Sequence, residues 1–163
     1  MTKQNHDDLE VYLRDHYAGA VGAIELLEHL IKAYAGEKLE TFFSQLATEV
    51  KQDQASLHQI MEGMGIETSA VDNAGAWVAE KFGRIKLGFG GDEKGGIRLL
   101  QALEALAVGI TGKILLWKAL EVAPVARNYH KGADLALLKA RAEEQLERVE
   151  VRRLNAAKAV LAE

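Results

Sequence analysis

Cysteine is absent from this chain of 163 residues. Disulfides, thiolate metal ligands and thiol nucleophiles are therefore excluded, and the redox compartment leaves no trace in the sequence. Proline occurs once and aromatic residues make up 6%. There is no excess of basic residues either: 20 Lys and Arg face 24 Asp and Glu, for a net charge of −4 and a pI near 5.8. That balance argues against a nucleic-acid partner, which calls for a basic patch or stripe. No apolar run approaches the roughly 20 residues that span a bilayer. The first residues, MTKQNHDDLE, are polar and do not read as a secretory signal. A cytoplasmic location without membrane contact is expected. No serine lies in a Gly-x-Ser-x-Gly turn. The glycine cluster GFGGDEKGG (88–96) follows no strand and lacks the Gly-Lys-Ser/Thr ending of a phosphate loop.

What is present favours helices. Apolar residues make up 48% and charged residues 27%, as in a soluble domain with a real core. The length suits a single domain over 1–163. Long segments rich in Ala, Leu, Glu and Lys, with a lone proline, point to an all-α protein.

Four long helices follow from apolar residues recurring three or four apart. The first spans about 7–34, with Leu9, Leu13, His16, Ala20, Ile24, Leu27 and Ile31 as its inner stripe. Asp7 and Asp8 suit its positive end. The second spans about 38–64, through Leu39, Phe42, Leu46, Val50, Asp53, Leu57, Ile60 and Met64. Gly36 and Gly65 punctuate the two, and so short a joint makes them antiparallel neighbours. The third spans about 96–122, through Leu100, Leu103, Leu106, Ile110, Ile114 and Trp117. Pro124, Asn128 and Gly132 mark a joint before the fourth, about 133–161, with Leu135, Leu138, Ala142, Gln145, Val149, Ala156 and Val160 inward. A crossover over 65–95 contains a short helix at about 72–86. It is long enough to travel the bundle, so that the third helix starts at the end where the first did.

Local wording carries a resemblance. YLRDHYAGAVGAIELL (12–27), LATEVKQDQASL (46–57), WVAEKFGRIKLG (77–88) and LEALAVGITGKILLW (103–117) resemble an uncharacterised bacterial ferritin-like family. The layout is similar to the ferritin-like superfamily, rubrerythrins included. That resemblance implies a four-helix bundle with one long crossover. In di-iron members it implies one Glu from each of two helices and Glu-x-x-His from each of the other two. Here the motif is not intact. AGAVGA (18–23) holds no Glu where relatives carry one, and Glu25 sits off the stripe. Glu49 is followed three residues on by Gln52, and Glu144 by Glu147; Glu104 matches the lone Glu.

The inner stripes leave a few polar residues to explain. A carboxylate in an apolar bundle loses its charge or costs several kcal/mol unless partnered. Asp53 is such a group. Lys113 is its first candidate partner, since it follows Ile110 by three and precedes Trp117 by four; Arg153 and His16 are the others. A polar core cluster of His16, Asp53, Lys113 and Gln145 is expected where relatives hold metal. Glu143, Glu144, Glu147 and Glu150 are expected on a solvated face, balanced by Arg141, Arg148 and Arg152 through i, i+4 pairs. His6, His29, His58 and His130 are expected at solvent. EKFGRIKLGFGG (80–91) either binds an anion, covers a pocket mouth or simply packs on the bundle. The small residues Gly19, Ala20, Gly22 and Ala23 either permit close helix approach or leave room for a ligand or for Trp117.

The expected function is that of a structural, interaction or small-ligand-binding bundle without a cofactor. An alternative is a redox or oxygenase-type enzyme with iron or manganese held by His16, Glu49, Asp53, Glu104 and Glu144. A third is a stress-linked oligomer with any metal chemistry at subunit interfaces. Leucines on several sides (Leu26, Leu30, Leu115, Leu116) favour a homodimer.

Overall fold

The computed structural model describes residues 3–68, 96–123 and 134–162. Among these there are four helices and no strand: α1 (Lys3–Ala33), α2 (Lys38–Gly63), α3 (Gly96–Val122) and α4 (Leu135–Leu161). They form an all-α bundle. The short helix expected at 72–86, the segment 80–91, most of the glycine cluster and the joint around Pro124, His130 and Gly132 lie outside the described residues.

Side-chain pairs give the helix directions. Tyr34 meets Phe43, Glu28 meets Lys51 and Tyr17 meets His58, so α1 and α2 are antiparallel. Glu121 meets Lys139 and Glu104 meets Arg153, so α3 and α4 are antiparallel. Phe42 lies under Arg152 and Glu49 meets Arg148, so α2 and α4 are antiparallel as well. It follows that α2 and α3 run in the same direction. The third helix thus starts at the end where α1 finishes, not where it begins, which corrects the expected placement.

Local chemistry sets the ends. Gly36, with φ +82°, turns the chain after α1, and its N–H donates to Glu40 Oε2 at 2.7 Å. Gly65, at φ +72°, does the same after α2; only glycine takes such angles cheaply. Asp134 caps α4, its carboxylate accepting from the Leu137 N–H at 3.0 Å, so the helix begins two residues later than expected. α1 begins earlier, at Lys3, and Asp7 and Asp8 fall beyond its first turn.

The core is built from Leu13, Leu26, Leu27, Leu30, Phe43, Leu46, Ile60, Met61, Leu103, Leu106, Leu116 and Trp117, all at 2% exposure or less. On α1 the buried stripe is rotated from the expected one. Leu26 and Leu30 are fully buried, while His16, Ala20, Ile24 and Ile31 are half-buried. Of the four leucines thought to be left over for a partner, Leu26, Leu30 and Leu116 belong to the core and Leu115 alone is exposed, at 57%. α3 also corrects the expectation about apolar runs. An 18-residue window in it reaches a mean hydropathy of 1.6, long and apolar enough by length and composition to cross a membrane. The same helix carries nine buried residues, from Leu100 to Leu120, into the bundle.

Candidate functional site

The centre of the bundle is polar. Asp53 on α2 is 2% exposed and Gln145 on α4 is fully buried. Lys113 on α3 reaches between them. Its Nζ donates to Asp53 Oδ2 at 2.5 Å and to Gln145 Oε1 at 2.5 Å. Gln145 Nε2 closes the triangle by donating to Asp53 Oδ2 at 3.1 Å. Three helices are thereby tied at one height. The other carboxylate oxygen, Oδ1, accepts from Arg141 Nη2, and Arg141 Nη1 reaches Gln52 Oε1 at 3.4 Å. One turn along α2, Glu49 takes a two-pronged bond from Arg148, one prong at 3.0 Å. Such fork pairs fix orientation as well as charge.

Burial pushes the Lys113 ammonium below its usual range, and Asp53 beside it pulls it back; Arg141 adds to the depression. The side chain is 14% exposed. It does not snorkel to solvent along its stem.

Arg141 and Arg148 do not sit on the solvated face that local i, i+4 pairing with the α4 glutamates implies. Both cross to α2. The available signal was spacing: they lie four before and three after the inward Gln145, on the same helix face. Glu49 is likewise four before Asp53. Arg152 stands 3.6 Å over the Phe42 ring. Arg153, a candidate partner for Asp53, instead holds Glu150 at 2.6 Å with Glu104 at 3.8 Å. Glu144 is exposed. His6, His29 and His58 are half-buried, not at solvent.

His16 stands apart from the triangle. Its ring meets Tyr12 edge-on at 4.7 Å. Burial lowers its pKa from the ordinary 6.5, against the opposing pull of Asp15. The folded chain therefore binds fewer protons at this site than the unfolded chain. Stability contributed here falls as pH drops through 6.5. Denaturant titrations between about pH 7.5 and 5 should show a shallower loss for His16→Gln than for the wild type. Identical slopes would remove the buried-imidazole account.

Beside the triangle lies a cavity of about 280 Å³ between α1, α2 and α3. His16, Gly19 and Ala20 line it from α1, Asp53 and Leu57 from α2, and Gly109, Gly112, Lys113 and Trp117 from α3. A Cβ added at Gly19, Gly109 or Gly112 would meet no atom within 4 Å. At these three positions the small residues thus leave room for a ligand.

A di-metal centre does not fit these residues. Both Asp53 oxygens are taken by cationic or amide donors, Glu49 is held by Arg148, and Glu104 and Glu144 lie toward solvent. Lys113 and Arg141 supply positive charge where a cation would have to sit. His16, Glu49, Asp53, Glu104 and Glu144 are not brought together as one ligand set. Among the described residues, the side chains that do come within ligating distance of each other are His6, Asp7 and Glu10 at the outer start of α1, where Arg14 holds Glu10 at 2.7 Å.

An all-helical four-helix bundle with a polar centre is the class of protein these observations define. The chain belongs to the family described as a domain of unknown function, DUF892, whose model matches residues 4–107. The match spans α1, α2 and the first part of α3. It includes Asp53 and ends before Lys113, Arg141 and Gln145. No curated protein and no solved structure matches the chain.

Proposed function

We propose that the chain is a ferritin-like, cytoplasmic bundle that binds a small, mainly apolar molecule in the cavity beside Asp53 and Lys113. The common direction of α2 and α3 supports the ferritin-like reading, since it suits one long connection between them. The cavity carries the functional reading. Interiors are close-packed, and a partly open, mainly apolar cleft of this size with a few convergent polar groups is the usual form of a small-molecule site. Its walls are chiefly Leu, Val, Ile, Ala and Gly, with Asp15, His16, Asp53, Gln54 and Lys113 as polar marks. An ammonium has three N–H donors, and two are used on Asp53 and Gln145. The third suits a ligand acceptor such as a carboxylate or hydroxyl. The role is retention of the ligand, with the ion network fixing α2 and α3, two of the three helices around it.

Gly19→Leu tests the reading. The new side chain enters the open space at α1, and a helical leucine is favoured over glycine by about 0.8–1 kcal/mol. The variant should melt no lower than the wild type. It should lose binding of N-phenyl-1-naphthylamine, a neutral apolar dye, and of its sulfonated relative 8-anilinonaphthalene-1-sulfonate by about tenfold or more, an affinity change of about 1.4 kcal/mol. Unchanged dye titrations would overturn the cavity as the site.

A further inference from the structure

We propose that a second copy of this chain docks antiparallel on the outward face of α3 and closes the mouth of the cavity. The closure rests on the cavity being a binding site; the docking does not. α3 is the most apolar helix of the bundle, yet only 39% of its most apolar window is buried. Its outward residues are spaced regularly. Glu104, Val108, Thr111, Leu115, Lys118 and Val122 alternate by four and three, and all six are exposed. That rhythm makes a straight seam along one side of a helix, as helix-to-helix pairing requires. Val108 is 61% and Leu115 57% exposed, so two large apolar side chains flank the middle of the seam.

Charge selects the occupant and its direction. Glu104 and Lys118 lie seven residues to either side of Thr111, about 10 Å each way along the helix. A two-fold axis at Thr111 sets Glu104 of each copy against Lys118 of the other, so the complementary contact forms twice. Parallel pairing would set glutamate on glutamate and lysine on lysine. Thr111 suits the axis, because its hydroxyl already donates to the Ala107 carbonyl at 2.8 Å and it offers its methyl group to the partner.

The seam adjoins the cavity. Val108 belongs to both, and Gly109 and Gly112 beside it line the cavity with no side chain of their own. A helix laid on the seam therefore covers the α3 side of the opening.

Light scattering and sedimentation of the full chain test the docking. The wild type should be a dimer. Glu104→Lys and Lys118→Glu each set like charges together twice and should weaken dimerisation about tenfold, with helix content retained. An equimolar mixture of the two variants restores both contacts and should dimerise like the wild type, as should the double variant. Leu115→Glu should be monomeric. A wild type that stays monomeric at sub-millimolar concentration would overturn the docking. So would a dimer indifferent to all these changes, or a mixture no tighter than either variant alone. Closure has its own readout: N-phenyl-1-naphthylamine should leave the Leu115→Glu monomer several-fold faster than the dimer, since Leu115 does not line the cavity. Equal release rates would overturn closure and leave the dimer standing. Absence of dye binding in an intact dimer would count against the cavity alone.

Discussion

Asp53→Ala is expected to lower the unfolding free energy by about 3–5 kcal/mol, the usual cost of removing one partner from a buried ion pair. The carboxylate is 2% exposed and receives Lys113, Gln145 and Arg141. Its loss leaves two cations facing the same buried space without a counter-charge. Arg141 is 28% exposed and can turn toward water, which places the effect nearer the lower figure. Lys113→Met should cost less, about 1.5–3 kcal/mol, because Asp53 keeps Arg141 and Gln145. Replacing Asp53, Lys113 and Arg141 together by Leu, Met and Met should recover most of the loss. An apolar set of similar volume removes the desolvation cost along with the attraction. Denaturant unfolding followed by helical circular dichroism measures all three. An Asp53→Ala loss below about 1 kcal/mol would mean that the network is solvated.

These residues also show how far a sequence can be read. The four helices are legible because apolar side chains three and four apart, ended by Gly36 and Gly65, fit no other regular structure. Asp53, Lys113 and Gln145 were conspicuous for the same reason. Each interrupts an apolar stripe, and a buried polar group needs a partner from another stripe. Arg141 and Arg148 escaped that logic. Their long side chains leave the edge of α4 and cross to α2, and a periodicity of Cα positions says nothing about reach. Neighbouring glutamates on α4 made a local pairing look sufficient. The rotation of α1 was hidden too. Ile24 and Ile31 read as core, but the helix turns Leu26 and Leu30 inward, while His16, Ala20 and Ala23 border the cavity. A cavity is absent volume, and small residues in a sequence describe close contact and open space alike. At Gly19, Gly109 and Gly112 it is open space, with no atom within 4 Å of an added Cβ.

Trp117→Ala is expected to cost about 3–5 kcal/mol, and here the neighbouring cavity sets the outcome. Trp117 is 1% exposed and stands at the cavity wall. Truncating it removes the largest fully buried side chain among the described residues. A void created in a well-packed core collapses partly, and that collapse moderates the loss. This void would join one of about 280 Å³, and the glycines bordering it have no side chains to move in. Relaxation is therefore small and the loss falls toward the upper figure. Trp117→Phe separates packing from polarity. The indole Nε1 is buried without an acceptor among the described residues, and an unsatisfied buried donor costs about 1–3 kcal/mol. Phenylalanine keeps an aromatic ring at the wall and deletes that donor, so its net effect should be within about 1.5 kcal/mol of the wild type. The two variants should also differ in dye binding: the enlarged cavity of Trp117→Ala should admit bulkier apolar dyes, whereas Trp117→Phe should keep the wild-type preference. Equal melting of the two variants would show that the ring is not what closes this wall.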